Sequence, residues 1–299
     1  MEQDFSIGII GGGPAGCCCA YFLKDRANVS IIDNSQLMRT ILPTGGGRCN
    51  LAHAEFDFIE LAKNYPRGEK FLLSVFSKMP ESKTRELFKD LGIKTYVQDD
   101  KRVFPVTDSS KNTVKILQKH LETSNFTFKK EKVISVSKKE NIFEILTTEG
   151  KYEFDSIIIA TGGKGIEIAK TTGHNIIEPK PSLTSLDIQE KEFYSLSGLS
   201  FKNVEITASF NKNKYTALGD ILYTHKSISG PCVFKISALS AYDDFSSQKP
   251  LDLTLNLTNY SVDDLENELK LNSKKTIKNV FSRFVPENFI NVILKINKI

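Results

Sequence analysis

The stretch "IGIIGGGPAG", residues 7–16, decides the fold of this chain. Its apolar run predicts a buried strand over 5–10, and Gly11, Gly13 and Gly16 follow at the G-x-G-x-x-G spacing. Pro14 stands where a helix would begin, and its missing N–H costs nothing in a first turn, so a helix is predicted over 14–25. A second apolar strand, 29–32, ends in Asp33. Strand, glycine turn, helix, strand and acid in this order make a βαβ opening. There the first glycine permits the tight turn, the second lets a pyrophosphate approach the backbone, and the third lets helix and strand pack closely. The helix start adds free N–H groups and the positive end of its dipole. Asp33, about twenty residues beyond Gly13, stands where a carboxylate accepts hydrogen bonds from an adenosine ribose and disfavours a 2′-phosphate.

A second glycine turn sharpens the reading. "KVISVSKK", "NIFEILTTEG" and "KYEFD" predict a small antiparallel meander, and "SIIIATGG" a buried strand entering a turn at Ala160, Thr161, Gly162 and Gly163. A crossover of short strands in place of a helix, followed by an ATG turn, favours FAD over NAD. "TGGGRCN", residues 44–50, forms a third loop of exposed N–H groups suited to an anion or a flat ring. Arg48 adds a fixed positive charge, and Cys49 has no partner cysteine nearby and reads as structural.

Elsewhere, 55–92 reads as helical, with "EKFLLSVFSKM" and a further helix over 81–91 that stops at Gly92. "TVKILQKHLETS" places Val114, Leu117 and Leu121 on one stripe. Residues 179–257 read as β-rich, and the chain after 259 as polar and helical. "PKPSLTSL", with two prolines, marks the crossing between domains. The predicted domains are 1–183, nucleotide-binding; 184–258, an inserted β-rich substrate domain; and 259–299, a helical insert.

Composition narrows the partners. The 299 residues carry a formal net charge of +4, with lysines scattered and no basic arm, so nucleic acid is not the expected partner. No apolar run reaches the ~18–20 residues of a membrane span, and the N-terminus lacks the features of a signal peptide. A cytoplasmic protein with reduced thiols is expected. The five cysteines include three in a row, Cys17 to Cys19, whose side chains diverge on a helix, and no C-x-x-C occurs. The four histidines show no metal spacing, and His120 is expected at the surface. His225, in "YTHKSISGP", is either a turn histidine or an acid–base group. No G-x-S-x-G and no Walker A motif is present.

The order and spacing of "GGGPAG", "TGGGRCNLAH", "KRVFPVTD", "ATGGKG", "GLSFKNVEI" and "GDILYTHKSISGP" resemble the HI0933-like (aminoacetone oxidase-like) family of bacterial NAD(P)/FAD-dependent oxidoreductases. The resemblance runs from about residue 5 to the end of the chain. It implies an α/β fold: a Rossmann-like FAD-binding domain with a βββ crossover, an inserted β-barrel-like domain and a small helical domain. By motif position, Gly11, Gly12, Gly13, Pro14, Ala15 and Gly16 would hold the pyrophosphate. Asp33 would bind the ribose where the family usually has Glu, with Arg39 and Thr40 near the adenosine. Gly46, Gly47, Arg48, Cys49 and Asn50 would lie beside the flavin, Val133 would touch the adenine through its backbone, and Ala160 to Gly163 would close the pocket. The inserted domain would face the flavin, which makes His225 the candidate acid or base. Family members usually run on for about a hundred residues that return to the FAD domain. This chain then reads as a shortened form, as the product of a disrupted gene, or as a protein completed by a second polypeptide.

The reading that follows is a cytoplasmic FAD-dependent oxidoreductase passing electrons from NAD(P)H or an organic donor to a small organic acceptor. NAD(P)H would visit only transiently, since a second G-x-G-x-x-G is absent. The alternative is a remnant or nucleotide-binding module that holds FAD weakly or not at all. An RNA-modifying flavoenzyme is a third reading.

Overall fold

The computed structural model describes residues 5–122, 126–258 and 260–299; the sequence features at residues 1–4, 123–125 and 259 lie outside the described residues. The chain divides into two units, Met1–Ile177 and Glu178–Ile299. Among the described residues, no helix is long and apolar enough to cross a membrane.

In the first unit, β1 (Ser6–Ile10), α1 (Pro14–Leu23) and β2 (Asn28–Ile32) form the βαβ opening. One-turn segments at Arg39–Ile41 and Thr44–Gly47 lead to β3 (Ala52–His53), then α2 (Phe58–Lys63), α3 (Glu69–Lys78) and α4 (Glu81–Asp90). β4 (Thr95–Val97), β5 (Arg102–Pro105), α5 (Ser110–Glu122) and β6 (Phe126–Lys129) follow. The predicted meander is β7 (Val133–Lys139), β8 (Ile142–Thr147) and β9 (Lys151–Phe154), succeeded by β10 (Ser156–Ile159) and α6 (Gly165–Thr171).

β10, β1, β2 and β6 lie side by side in that order as a parallel sheet. Chain order reverses between β1 and β10, and in open α/β sheets that switch point is where ligands bind, beyond the carboxyl ends of the strands. One face of the sheet packs Ile9, Val29 and Ile31 against Cys17 and Ala20 of α1 and the predicted stripe Val114, Leu117 and Leu121 of α5. On the other, Ile10 and Ile32 meet Val136, Ile145 and Phe154 of the meander. A Cβ on Gly8 would fall 2.6 Å from the Phe154 ring, so this central strand position is small because the meander's aromatic lies on it. β10 was expected to be buried, but its residues are only half-buried, because among the described residues it is an edge of the sheet. His120 also departs from expectation: it is half-buried, with its ring nitrogen 3.1 Å from the Leu91 carbonyl oxygen.

The second unit contains β11 (Leu186–Asp187), β12 (Ser200–Phe210), β13 (Asn213–Tyr223), β14 (Ser227–Ser229), α7 (Pro231–Leu239) and β15 (Asp252–Asn256). The helices α8 (Val262–Leu271), α9 (Ile277–Phe281) and α10 (Glu287–Asn297) follow. The strands form an antiparallel half-barrel in the order β11-β14-β13-β12-β15. Its core joins Val204, Ile206 and Ile221 to Cys232, Val233 and Ile236 of α7 and to Phe289 and Val292 of α10. The β-rich reading of 179–257 missed α7. Its start is written in the sequence: Gly230 has φ +108°, a Cβ there would lie 2.6 Å from the Asp220 carbonyl oxygen, and Pro231 opens the first turn.

Candidate functional site

The glycine loop is built on backbone contact. A Cβ on Gly11 would meet the Ala160 carbonyl oxygen at 2.5 Å and the Thr161 nitrogen at 2.9 Å, so the two glycine turns touch main chain to main chain. The Gly11 N–H donates to the Ile32 carbonyl at 2.9 Å and the Ala160 N–H to the Ile10 carbonyl at 2.8 Å. These bonds continue the parallel ladder past β1 and hold both turns at the carboxyl ends of the strands.

α1 begins here with Gly13 at its N-cap, no side-chain cap and no acid in its first turn. Helix N-termini leave N–H groups without intrahelical partners, and with no side chain to receive them they are available to an anion. A Cβ on Gly13 would find only Thr40 Oγ1, at 3.5 Å, which places the Arg39–Ile41 turn at the loop's open side. Cβ atoms on Gly46, Gly47, Gly162 and Gly163 would meet nothing within 4 Å. These positions border open space, and the backbones of Gly46, Gly47 and Gly162 are left-handed. The hydroxyl of Thr161, next in sequence to Gly162, is buried without a hydrogen-bond partner among the described residues. An uncapped helix start, an orphaned hydroxyl and glycines bordering open space fit the diphosphate and flat ring of a flavin dinucleotide.

Asp33 is committed to the loop itself. Its Oδ2 accepts from the Gly12 N–H at 2.6 Å and its Oδ1 from the Ser35 N–H at 2.7 Å. Carboxylate oxygens accept more than one hydrogen bond, so room for a ribose hydroxyl remains. The Met38 N–H donates to the Gly12 carbonyl at 2.8 Å, carrying the chain from Asp33 back over the loop. Arg39 and Thr40 are exposed, and Val133 is half-buried against the cluster of Ile10 and Ile32. Pro14 and Ala15 are exposed in the first turn of α1.

The Thr44–Gly47 segment runs through left-handed Gly45, Gly46 and Gly47. "KRVFPVTD", for which the sequence suggested no role, supports it. Ala52 and His53 pair with Val103 and Arg102, and Phe104 is fully buried. The Arg48 guanidinium lies over the Phe104 ring at 4.1 Å, and its Nε donates to the Gly45 carbonyl at 3.2 Å. The sequence signal was the short apolar run Val103–Phe104 behind Lys101 and Arg102, but its target lay too far along the chain to see. Asn50 is exposed, whereas Cys49 is packed in the core, where burial pushes its thiol up. Burial also pushes Cys17 up to about 12, with Sγ donating to the Gly12 carbonyl at 3.3 Å. Neither thiol is poised as a nucleophile.

His225 lies in the turn between β13 and β14, exposed, with Nδ1 3.2 Å from Ser197 Oγ. Neighbouring Thr224 and Ser227 bond each other across this turn, hydroxyl to hydroxyl at 2.6 Å. The second unit also holds a trough of about 1010 Å³ whose apolar wall includes Leu186, Ile188, Phe193, Leu253 and Leu255. Among the described residues, no cluster of His, Cys, Asp or Glu could hold a metal.

Comparison with known proteins agrees with this architecture. The model of the HI0933-like protein Rossmann domain matches residues 5–222, and that of the HI0933-like protein barrel and H2TH domain matches residues 180–299. The chain is 28% identical to the ribosomal RNA dihydrouridine synthase of Haemophilus influenzae, over 98% of this chain and 74% of that protein. It is 26% identical to the Escherichia coli protein of the same name, over 100% of this chain and 75% of that one. The 3-dehydro-bile acid delta(4,6)-reductase of Clostridium scindens is 27% identical over 77% of this chain and 59% of its own length. The chain, with its Rossmann domain followed by a barrel and H2TH domain, belongs to the HI0933-like family.

Proposed function

We propose that the chain is a flavin-dependent reductase of a carbon–carbon double bond conjugated to a carbonyl, holding FAD on the first unit and drawing electrons from NADH or NADPH. The observation that carries the flavin part of the reading is the contact of Gly11 with Ala160 and Thr161 at the switch point, beside an uncapped helix start; the names of the relatives support the acceptor. The two activities named among the relatives share this chemistry. Forming dihydrouridine saturates the C5=C6 bond of a uracil, conjugated to C4=O, and a delta(4,6) 3-oxo acid carries its double bonds in conjugation with a ketone.

In this reading the N–H groups at the start of α1 hold the diphosphate, and Asp33 accepts from a ribose hydroxyl while tying down Gly12. Gly46 and Gly47 leave the ring a side-chain-free surface, and Arg48, fixed by Phe104 and Gly45, places a cation beside it. FAD supplies the group that accepts and donates hydride. In the balanced reaction a nicotinamide is oxidised, a hydride reaches the β-carbon of the conjugated system, and a proton reaches the α-carbon. His225, whose Nδ1 lies 3.2 Å from Ser197 Oγ, stays the candidate acid–base group of the second unit.

The names of the two relatives that span nearly the whole chain favour a second, narrower reading, a uridine within ribosomal RNA as the acceptor. One experiment orders these readings. The purified chain is incubated with FAD, desalted, and its visible spectrum recorded; it is then mixed with NADH or NADPH and either a uridine-containing ribosomal RNA fragment or a 3-oxo-4-ene steroid. Retained flavin bands and acceptor-dependent nicotinamide oxidation are expected. A protein that never retains flavin sinks the proposal and leaves the nucleotide-module reading.

A further inference from the structure

"GLSFKNVEI" remained without a role, and the structure places it at a second site. β12 bulges between Phe201 and Val204: Phe201 pairs with Ile221 and Val204 with Gly219, leaving Lys202 and Asn203 opposite Asp220 alone. Asn203 is left-handed, φ +53°, and its N–H donates to Asp220 Oδ1 at 3.1 Å. A bulge of this kind re-aims side chains out of the ladder. Here Lys202 and Asn203, both exposed, line a groove of about 390 Å³ with Thr258, Tyr260, Arg283 and Phe284.

The groove combines flat rings with cations. Tyr260 is 49% exposed and stands edge-to-face on Phe284, with ring centroids 4.9 Å apart. The Arg283 guanidinium lies 4.7 Å from the Phe284 centroid and is ion-paired to Glu268, which also faces the groove. Asn272 donates to Glu268 Oε2 at 3.2 Å, tying the same carboxylate to the turn that carries Lys274 and Lys275. Those two lysines are exposed, and among the described residues neither they nor Lys202 makes an ion pair.

We propose that this groove binds single-stranded RNA, with one unpaired base on the Tyr260 ring and the adjoining phosphates on Lys202 and Arg283. An acidic peptide would use the cations but not the exposed aromatic face, whereas a base needs both. A paired duplex keeps its bases stacked inside and offers none to such a groove. The preference for RNA over DNA rests on the uridine reading proposed above; the groove's affinity for a nucleic acid strand does not. Glu268 competes with phosphate for Arg283, so it sets an upper limit on affinity that can be lifted.

The test titrates the full chain into a fluorescein-labelled oligouridylate and follows anisotropy at several salt concentrations. Saturable binding that weakens with salt is expected. Lys202→Ala should weaken binding and lower the salt slope by about 1. Tyr260→Ala should weaken it roughly fivefold to a hundredfold, the range for one lost base–aromatic stack, and Tyr260→Phe should restore it. Glu268→Gln should strengthen it. Absence of binding, or binding untouched by Lys202→Ala and Tyr260→Ala in variants with native circular dichroism, overturns the proposal. Equal displacement by polyglutamate would reassign the groove to acidic polypeptides, and equal affinity for oligothymidylate would overturn the assignment to RNA. RNA binding without uridine reduction would sink the uridine reading alone, and uridine reduction indifferent to these variants would sink the groove alone.

Discussion

A Cβ on Gly16 would lie 1.9 Å from the carbonyl oxygen of Gly11. That overlap is backbone against side chain and cannot be relieved by a rotamer change. Gly16→Ala must push α1 off β1, and a cost of about 1–3 kcal/mol or more is expected for such overpacking. Gly13→Ala makes an informative partner, because its Cβ would meet only Thr40 Oγ1 at ordinary contact distance. Thermal melting should show Gly16→Ala strongly destabilised and Gly13→Ala near wild type. Flavin retention should fall in both, since the Gly13 methyl group would occupy the diphosphate's approach.

Asp33 is bonded to the loop it serves. Replacing it with Asn keeps the shape but removes the charge that the Gly12 and Ser35 N–H groups donate to. Hydrogen bonds to a charged group are worth about 1.5–3 kcal/mol, so Asp33→Asn should lose an appreciable part of that in stability. FAD titration followed by fluorescence quenching should show weaker binding than in wild type. Unchanged melting and unchanged affinity together would mean that Asp33 neither shapes the loop nor reaches a ligand.

Glu81, at the start of α4, is buried, and neither carboxylate oxygen has a hydrogen-bond partner among the described residues. Burial pushes its pKa up, opposed by the Arg85 side chain 3.7 Å away. A carboxyl whose folded pKa is raised stabilises the protein below its unfolded pKa, and that stability is lost as pH rises through the folded pKa. Wild type should therefore gain stability from this group as pH falls from neutral towards its ordinary carboxyl range. Glu81→Gln should flatten the dependence, while Arg85→Met should cost on the order of 1 kcal/mol at neutral pH and less in acid. Melting curves across this range, compared between the three proteins, read the sign directly.

Of the five cysteines, Cys17, Cys49 and Cys232 are buried, Cys19 is half-buried and Cys18 is exposed. Burial pushes the Cys18 thiol up as well. A thiol reagent at mildly alkaline pH should label Cys18 first, more slowly than free cysteine, and denaturant should release the remainder. Mass spectrometry of partly labelled protein identifies the site; early labelling of Cys49 would contradict its place in the core.

The sequence made the first unit's local elements legible because its signals were local. Glycine spacing, Pro14 and the alternation of the meander each act within a few residues. Contacts between distant residues were not legible. Nothing near Phe104 announces that it lies under Arg48, and the local start signal of α7 at Gly230 and Pro231 was masked by its β-rich surroundings. The charge count, spread over the whole chain, gave no hint that a β-bulge sets Lys202 beside Arg283 and two aromatic rings.

By itself, then, the sequence determined the βαβ opening, the meander and the order of the glycine turns, since backbone preference and hydrophobic period operate over short spans. Only the tertiary structure decided that Gly11 meets Ala160 and that Asp33 spends its carboxylate on Gly12. It alone set Lys202 and Asn203 in one groove with Tyr260, Arg283 and Phe284. Those are contacts between remote segments, and they exist only once the sheets and cores have brought the segments together.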